Sequence, residues 1–223
     1  MEHCLNVPPH PSIVAVRASG YTDRGHHWVA TDRPPNPSLA SSPDTIDHGT
    51  LIARARRLFQ ALVHLESHNI VHGDIGPSAI AIDPSTGEAL LGRFGVATHD
   101  TSTGTARFPA PAEPEFASPE RMAESALSSS ADIYSLALTL YATFRACSAA
   151  EARMELVKET SPLPEFVREL FERLTSPAPR DRPKTARRAL AELELVSTEC
   201  EDETPQREAS RSDAWRQRWP QRD

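Results

Sequence analysis

The sequence predicts an α+β chain, mainly helical, whose few strands are short and lie in its first half. Two observations carry this expectation. Apolar residues recur at helical spacing at Leu51, Ala55, Leu58, Leu62 and Leu65 and again through residues 132–144, whereas extended patterns are confined to 13–17, 27–31, 80–82 and 89–91. The order of elements is two strands, a helix, a small hairpin, a long loop and then helices alone, which is not the alternation of a parallel α/β fold.

Each element has a local reason. Residues 13–17 and 27–31 read as strands separated by the turn-forming run Gly20-Tyr21-Thr22-Asp23-Arg24-Gly25. Residues 33–48 are rich in Pro, Ser and Asp and read as a loop. In the helix that follows, Ile52, Phe59 and Val63 widen the apolar face, which predicts deep burial, and the pattern stops near Ser67-His68-Asn69. Asp83-Pro84-Ser85-Thr86-Gly87 joins the runs 80–82 and 89–91 as a hairpin. Residues 98–118 form a Thr/Pro/Ala-rich loop of a length that usually marks function or disorder. Ser128-Ser129-Ser130 offers an N-cap oxygen to the helix at 132–144, and helices at 164–174 and 185–196 begin with Pro at or near their first turns. From Ser197 onward the chain is charged and polar, with Trp215 and Trp219 isolated, and reads as a mobile tail.

Composition narrows the function classes. The net charge of -7 offers no global attraction to nucleic acid or an anionic membrane, and no apolar run approaches the roughly 20 residues of a membrane span. Cys4, Cys147 and Cys200 lie far apart, without metal-ligand spacing, as expected of reduced thiols in a cytoplasmic protein. The start has neither a basic nor an apolar leader region, so no signal peptide is expected. His26, His27, His64 and His99 also lack ligand spacing, and no metal site is expected.

Six short motifs occur in order. They are His10-Pro11-Ser12-Ile13-Val14; Ile70-Val71-His72-Gly73-Asp74-Ile75-Gly76-Pro77-Ser78-Ala79-Ile80; Leu91-Gly92-Arg93-Phe94-Gly95-Val96-Ala97; Phe116-Ala117-Ser118-Pro119-Glu120; Asp132-Ile133-Tyr134-Ser135-Leu136-Ala137; and Pro179-Arg180-Asp181-Arg182-Pro183. They resemble, in turn, the H-P-N-I-V strand entry, the H-R-D-x-K-P-x-N catalytic loop, the D-F-G segment, the A-P-E end of the activation segment, the start of the central C-lobe helix and the late arginine-proline motif of bacterial-type serine/threonine protein kinases. Each alone is weak, but their order on the matching helix, loop and hairpin contexts is specific. The resemblance covers residues 10–196 and implies a protein-kinase-like fold: 1–48 as a remnant of the N-lobe with two strands and a hinge-like loop, 49–196 as the C-lobe, and 197–223 as a disordered tail. It also implies scaffold roles: Glu120 pairs with Arg182, Asp132 holds the catalytic loop, and His72 packs on Phe94 in the interior.

The catalytic set is depleted. Phosphoryl transfer needs phosphate-cradling groups, Mg²⁺ ligands and an aspartate that orients the substrate hydroxyl. No glycine-rich loop is present, and no lysine precedes Lys158. By position in the motifs, Gly76 stands for the catalytic-loop lysine, Ala79 for the metal-binding asparagine and Arg93 for the D-F-G aspartate; Glu113 stands where threonine is usual. An arginine cannot ligate Mg²⁺. Asp74 alone remains of the polar catalytic residues, as a vestige. Arg93 has two readings: a metal-free contact to a nucleotide phosphate, or a side chain that turns outward or pairs with Asp74. Gly73 replaces the arginine that would read a phosphorylated loop, so Thr101, Ser102, Thr103 and Thr105 are expected to be plain loop residues.

The resulting expectation is a catalytically inactive pseudokinase that works as a binding or regulatory module, with no cofactor, or ATP bound without Mg²⁺. Its partner would be an active kinase or a second copy of itself, drawn to strands that lack sheet neighbours, and not nucleic acid or membrane. The alternatives are an ATP-dependent serine/threonine kinase whose N-lobe is missing from this chain through truncation or start-site choice, and a degenerate gene fragment. The stretch between Phe144 and Pro164 is short for the family's peptide-docking helix and loop.

Overall fold

The computed structural model describes residues 6–24, 27–33, 38–40, 46–94, 97–99, 110–123, 128–158 and 161–197. The expected α+β, mainly helical architecture is present, and the strands among the described residues form two-stranded sheets. The tail at 198–223 and the four loop hydroxyls at 101–105 lie outside the described residues.

Two helices make the centre. Helix α1 (His48–Ser67) starts at Asp47, whose carboxylate accepts the Thr50 N–H at 2.7 Å, and ends as Asn69 enters the left-handed region at φ 56°. Its buried face is Leu51, Ile52, Ala55, Leu58, Phe59, Ala61, Leu62 and Leu65, the face that the spacing predicts with Ala61 added and Val63 only half-buried. Helix α3 (Ser129–Arg145) packs against α1 and is buried on every side from Ala131 to Ala142. A helix apolar all round can be satisfied only inside a core. Ser128 is its N-cap, so the helix starts earlier than its apolar run.

The hairpin β4 (Ile80–Ile82) and β5 (Ala89–Leu91) pairs Ile80 with Leu91 and lies against α1. Flanking segments extend it on both sides. Val14 N–H donates to Leu91 O at 2.8 Å, Leu91 N–H to Ser12 O at 2.9 Å, and Leu39 N–H to Ile80 O at 2.9 Å. The strand pair β3 (Ile70–Val71) and β6 (Thr98–His99) brackets the segment that carries the site. A short helix α2 (Pro119–Met122) precedes α3; α5 (Glu165–Leu174) and a helix α6 over 186–197 close the far side of the core with Val167, Leu170, Phe171, Leu174, Ala186, Ala189 and Leu193.

One expectation is corrected. The first strand is β1, Val16–Tyr21, antiparallel to β2 (His27–Thr31), so it runs through the predicted turn at 20–21. The reason is a cross-strand pair: Gly20 faces Trp28, and a Cβ at position 20 would lie 2.8 Å from the indole, so the glycine makes room for a ring and not for a turn. Ile13, expected in that strand, is instead buried beside β5, where it bridges Leu91. Between Phe144 and Pro164 stands helix α4 (Ala149–Val157), closed by a Ser148/Glu151 capping box. The Ser-x-x-Glu spacing was present in the sequence to announce it.

Candidate functional site

The catalytic-loop-like segment is held from below by Asp132, the acidic residue of the first turn of α3. Its Oδ2 accepts His72 N–H at 2.7 Å and its Oδ1 accepts Gly73 N–H at 2.8 Å. Gly73 has φ 75°, a conformation that L-residues rarely adopt. From the other side, buried Arg121 of α2 donates its Nε–H to Gly73 O at 3.2 Å. Arg121 escapes motif reasoning because it lies one residue past the Ser-Pro-Glu match; only tertiary packing brings it to the loop.

His72 is fully buried, its ring 4.9 Å from that of Phe94. Nε2 lies 2.7 Å from Gly92 O, a carbonyl that can only accept, and Nδ1 accepts Asp74 N–H at 3.3 Å. These two partners select the neutral tautomer with the proton on Nε2. Burial lowers the imidazole pKa, and Arg93 adds to this; the Gly92 carbonyl and Asp74 act in the opposite sense but less strongly. A histidine with a depressed folded pKa contributes stability above its unfolded pKa, about 6.5, and that contribution is lost as pH falls through it. Urea midpoints measured from about pH 7 to 5 are therefore expected to fall more steeply for the native chain than for His72→Gln. Parallel slopes would show that His72 is not held neutral.

Glu120 and Arg182 form a bidentate ion pair. Nη1 and Nη2 of Arg182 donate to Oε1 and Oε2 of Glu120 at 2.6 and 3.0 Å. The remaining donors reach Ser176 O at 2.6 Å, Ser130 O at 3.1 Å and Pro177 O at 3.1 Å, and the guanidinium carbon stands 4.7 Å above the Tyr134 ring. All five N–H groups of the guanidinium are thereby used.

Above this scaffold the depleted positions converge. Half-buried Asp74 accepts the Ala112 N–H on Oδ1 at 2.8 Å. Ala79 O accepts Gly92 N–H at 2.8 Å, which puts the alanine next to the turn carrying Arg93. Arg93 is exposed, has φ 59°, and donates Nη1–H to the Ser78 hydroxyl. The Ser78 hydroxyl and the Ser78 N–H, the latter at 3.1 Å, both donate to Oε2 of Glu113. A Cβ built on Gly76 would lie 2.5 Å from that same Oε2 and 2.9 Å from the Glu113 Cδ. The carboxylate of Glu113 therefore fills the space beside the lysine position. Ser78 was not foreseen as a site residue, since its place in the motif is a variable one. Among the described residues no group of three or more His, Cys, Asp or Glu is arranged to hold a metal ion.

A family model described as protein kinase domain matches residues 2–208. A probable serine/threonine-protein kinase of Dictyostelium discoideum is 28% identical over 116 residues, 49% of this chain and 25% of the relative. The chain thus spans about a quarter of the length of that curated relative. The kinase domain of PknI from Mycobacterium tuberculosis, solved as a double mutant, superposes with a TM-score of 0.62 at 22% identity over 85% of this chain and 73% of that one. A second structure of the same domain gives 0.61 at 22% identity, over 84% and 73%. At that identity the likeness is one of fold.

Proposed function

From the premise that the chain belongs to the protein kinase domain family, we propose that it is a pseudokinase, a catalytically inactive member that acts by binding and regulating another protein. The observation that carries this is the contact of Glu113 with Ser78 beside Gly76: an anion stands where the family's lysine would supply a cation to the transferring phosphoryl group. Ala79 and Arg93 point the same way, since neither can supply an oxygen to Mg²⁺. Arg93, already engaged by Ser78, is a weaker candidate for a nucleotide phosphate than the sequence alone allowed.

The partner we favour is an active kinase or a second copy of this chain. Among the described residues strands β1 and β2 pair only with each other, and Tyr21 and Trp28 on them are 42% and 43% exposed, an arrangement open to strand addition. The reading includes a cytoplasmic setting, supported by the sparse cysteines, of which Cys147 is a free thiol. No helix among the described residues is long and apolar enough to cross a membrane. The competing reading, an ATP-dependent serine/threonine kinase completed by an N-lobe outside this chain, rests on the retained Asp74.

Thermal unfolding with ATP, with and without Mg²⁺, separates these readings. A nucleotide at 100 times its dissociation constant stabilises a binder by about 2.7 kcal/mol. The expected result is no Mg²⁺-dependent shift, together with no transfer of labelled phosphate to itself or to a generic protein substrate. A shift that requires Mg²⁺ would overturn the pseudokinase reading.

A further inference from the structure

We propose that residues 110–113 are a built-in plug over Asp74, locked in place by a matched pair, Gly76 and Glu113. The proposal rests on the reading above that this loop no longer serves Mg²⁺-nucleotide chemistry, and it concerns how the same site is closed. Two clasps join the segments and run in opposite directions. Asp74 of the loop accepts the Ala112 N–H of the plug at 2.8 Å; Glu113 of the plug accepts the Ser78 N–H of the loop at 3.1 Å and the Ser78 hydroxyl. Downstream the plug is anchored. Phe116 is buried, its N–H closes a turn on Glu113 O at 3.1 Å, and Arg153 of α4 donates to Glu115 O at 2.8 Å.

The glycine supplies the second line of evidence. Gly76 has φ -152° and ψ -178°, an extended backbone open to any L-residue. The chain conformation therefore gives no reason for glycine at this position. Space does, because a side chain would enter the Glu113 carboxylate at 2.5 Å. Gly76 and Glu113 are thus complementary, and the loss of the lysine made room for the lock. The carboxylate that would receive a substrate hydroxyl is occupied on Oδ1 by the chain's own backbone. A peptide hydroxyl has to compete with the Ala112 N–H for that oxygen.

Three measurements in the absence of nucleotide test this, so that their failure is separate from failure of the ATP experiment. In a double-mutant cycle, Gly76→Ala is expected to lower the urea midpoint of the native chain and to be close to neutral in the Glu113→Ala background. An equal cost in both backgrounds would overturn the steric pairing. Amide exchange reads the clasps: losing a hydrogen bond to a charged group is worth about tenfold or more in an opening equilibrium. Glu113→Ala is expected to speed exchange at Ala112 as well as Ser78, and Asp74→Ala to speed it at Ser78 as well as Ala112. Asp74→Asn, which keeps the Oδ1 acceptor, should leave both slow. Effects confined to the mutated clasp would show two independent contacts and no plug. Finally, labelling of Asp74 by a water-soluble carbodiimide and an amine should rise several-fold in Glu113→Ala; unchanged labelling would mean that the site was never closed.

Discussion

Replacing Arg182 with alanine is expected to lower the stability of the chain by about 3–5 kcal/mol, the usual cost of breaking a buried, fully bonded ion pair from one side. The guanidinium side chain is fully buried and that of its partner Glu120 is 17% exposed, with a bidentate contact at 2.6 and 3.0 Å. Truncation strands more than Glu120. The carbonyls of Ser130, Ser176 and Pro177 lose their donors together, and the Tyr134 ring loses the cation over its face. Arg182→Lys is expected to recover little, since an ammonium cannot span both carboxylate oxygens and three carbonyls at once. A loss below about 1 kcal/mol in urea unfolding would place the pair among exposed bridges of small value. The pair also sets an acid limit. Burial pushes the Glu120 carboxyl up, but Arg182, with hydrogen bonds from its own backbone N–H and from Ser118, holds it below the ordinary carboxylate range. A depressed folded pKa stabilises above the unfolded value, about 4.3, and that contribution is lost as pH falls through it. The stability gap between the native chain and Glu120→Gln should therefore shrink below about pH 4.3 and be full at neutral pH.

Asp132→Ala is the second large effect, expected to cost about 2–5 kcal/mol and to disorder the site as well as destabilise the core. Asp132 is buried in the first turn of α3 and accepts two successive backbone N–H groups, of His72 and Gly73. Both donors are buried, so each pays for desolvation without a partner when the carboxylate goes. Asp132→Asn is the sharper probe. Its amide keeps one acceptor oxygen and turns an NH₂ toward the other N–H, so it should lose a comparable amount despite its equal size. The carboxylate also lies at the helix N-terminus, where a negative charge is favoured. An Asn variant as stable as the native chain would mean that the second hydrogen bond is dispensable. Amide exchange at His72 and Gly73 should rise in both variants, which distinguishes release of the loop from a general loss of packing.

Much of this protein was legible in its residues because the relevant signals are local. The apolar spacing of 51–65 located α1, the Gly-containing turn at 83–87 located the hairpin, and the serines at 128–130 supplied the cap of α3. The motifs named His72, Phe94, Glu120, Asp132 and Arg182, and in the structure the His72 ring packs on Phe94, Asp132 accepts the His72 N–H and Arg182 donates to Glu120. Helix α4 was equally local, announced by Ser148 and Glu151, yet its short span masked it. The first strand was misplaced because glycine carries two meanings, a turn or a close approach, and only the partner strand shows that Trp28 chose the second.

What the sequence by itself determined is which side chains are missing from the motif positions: alanine and arginine stand where the resemblance puts the metal ligands and glycine where it puts the lysine, whatever the chain does around them. What only the tertiary structure decided is what took their place. Glu113 lies 37 residues from Gly76 and Arg121 lies 48 from Gly73, and no periodicity or motif in this sequence links either of these two pairs. Contacts of that range depend on how α1 and α3 position the loop and the returning segment against each other. The same physics that leaves a glycine unremarkable in the sequence gives it a partner in space, because the room left by a missing side chain has meaning only once a neighbour is there to fill it.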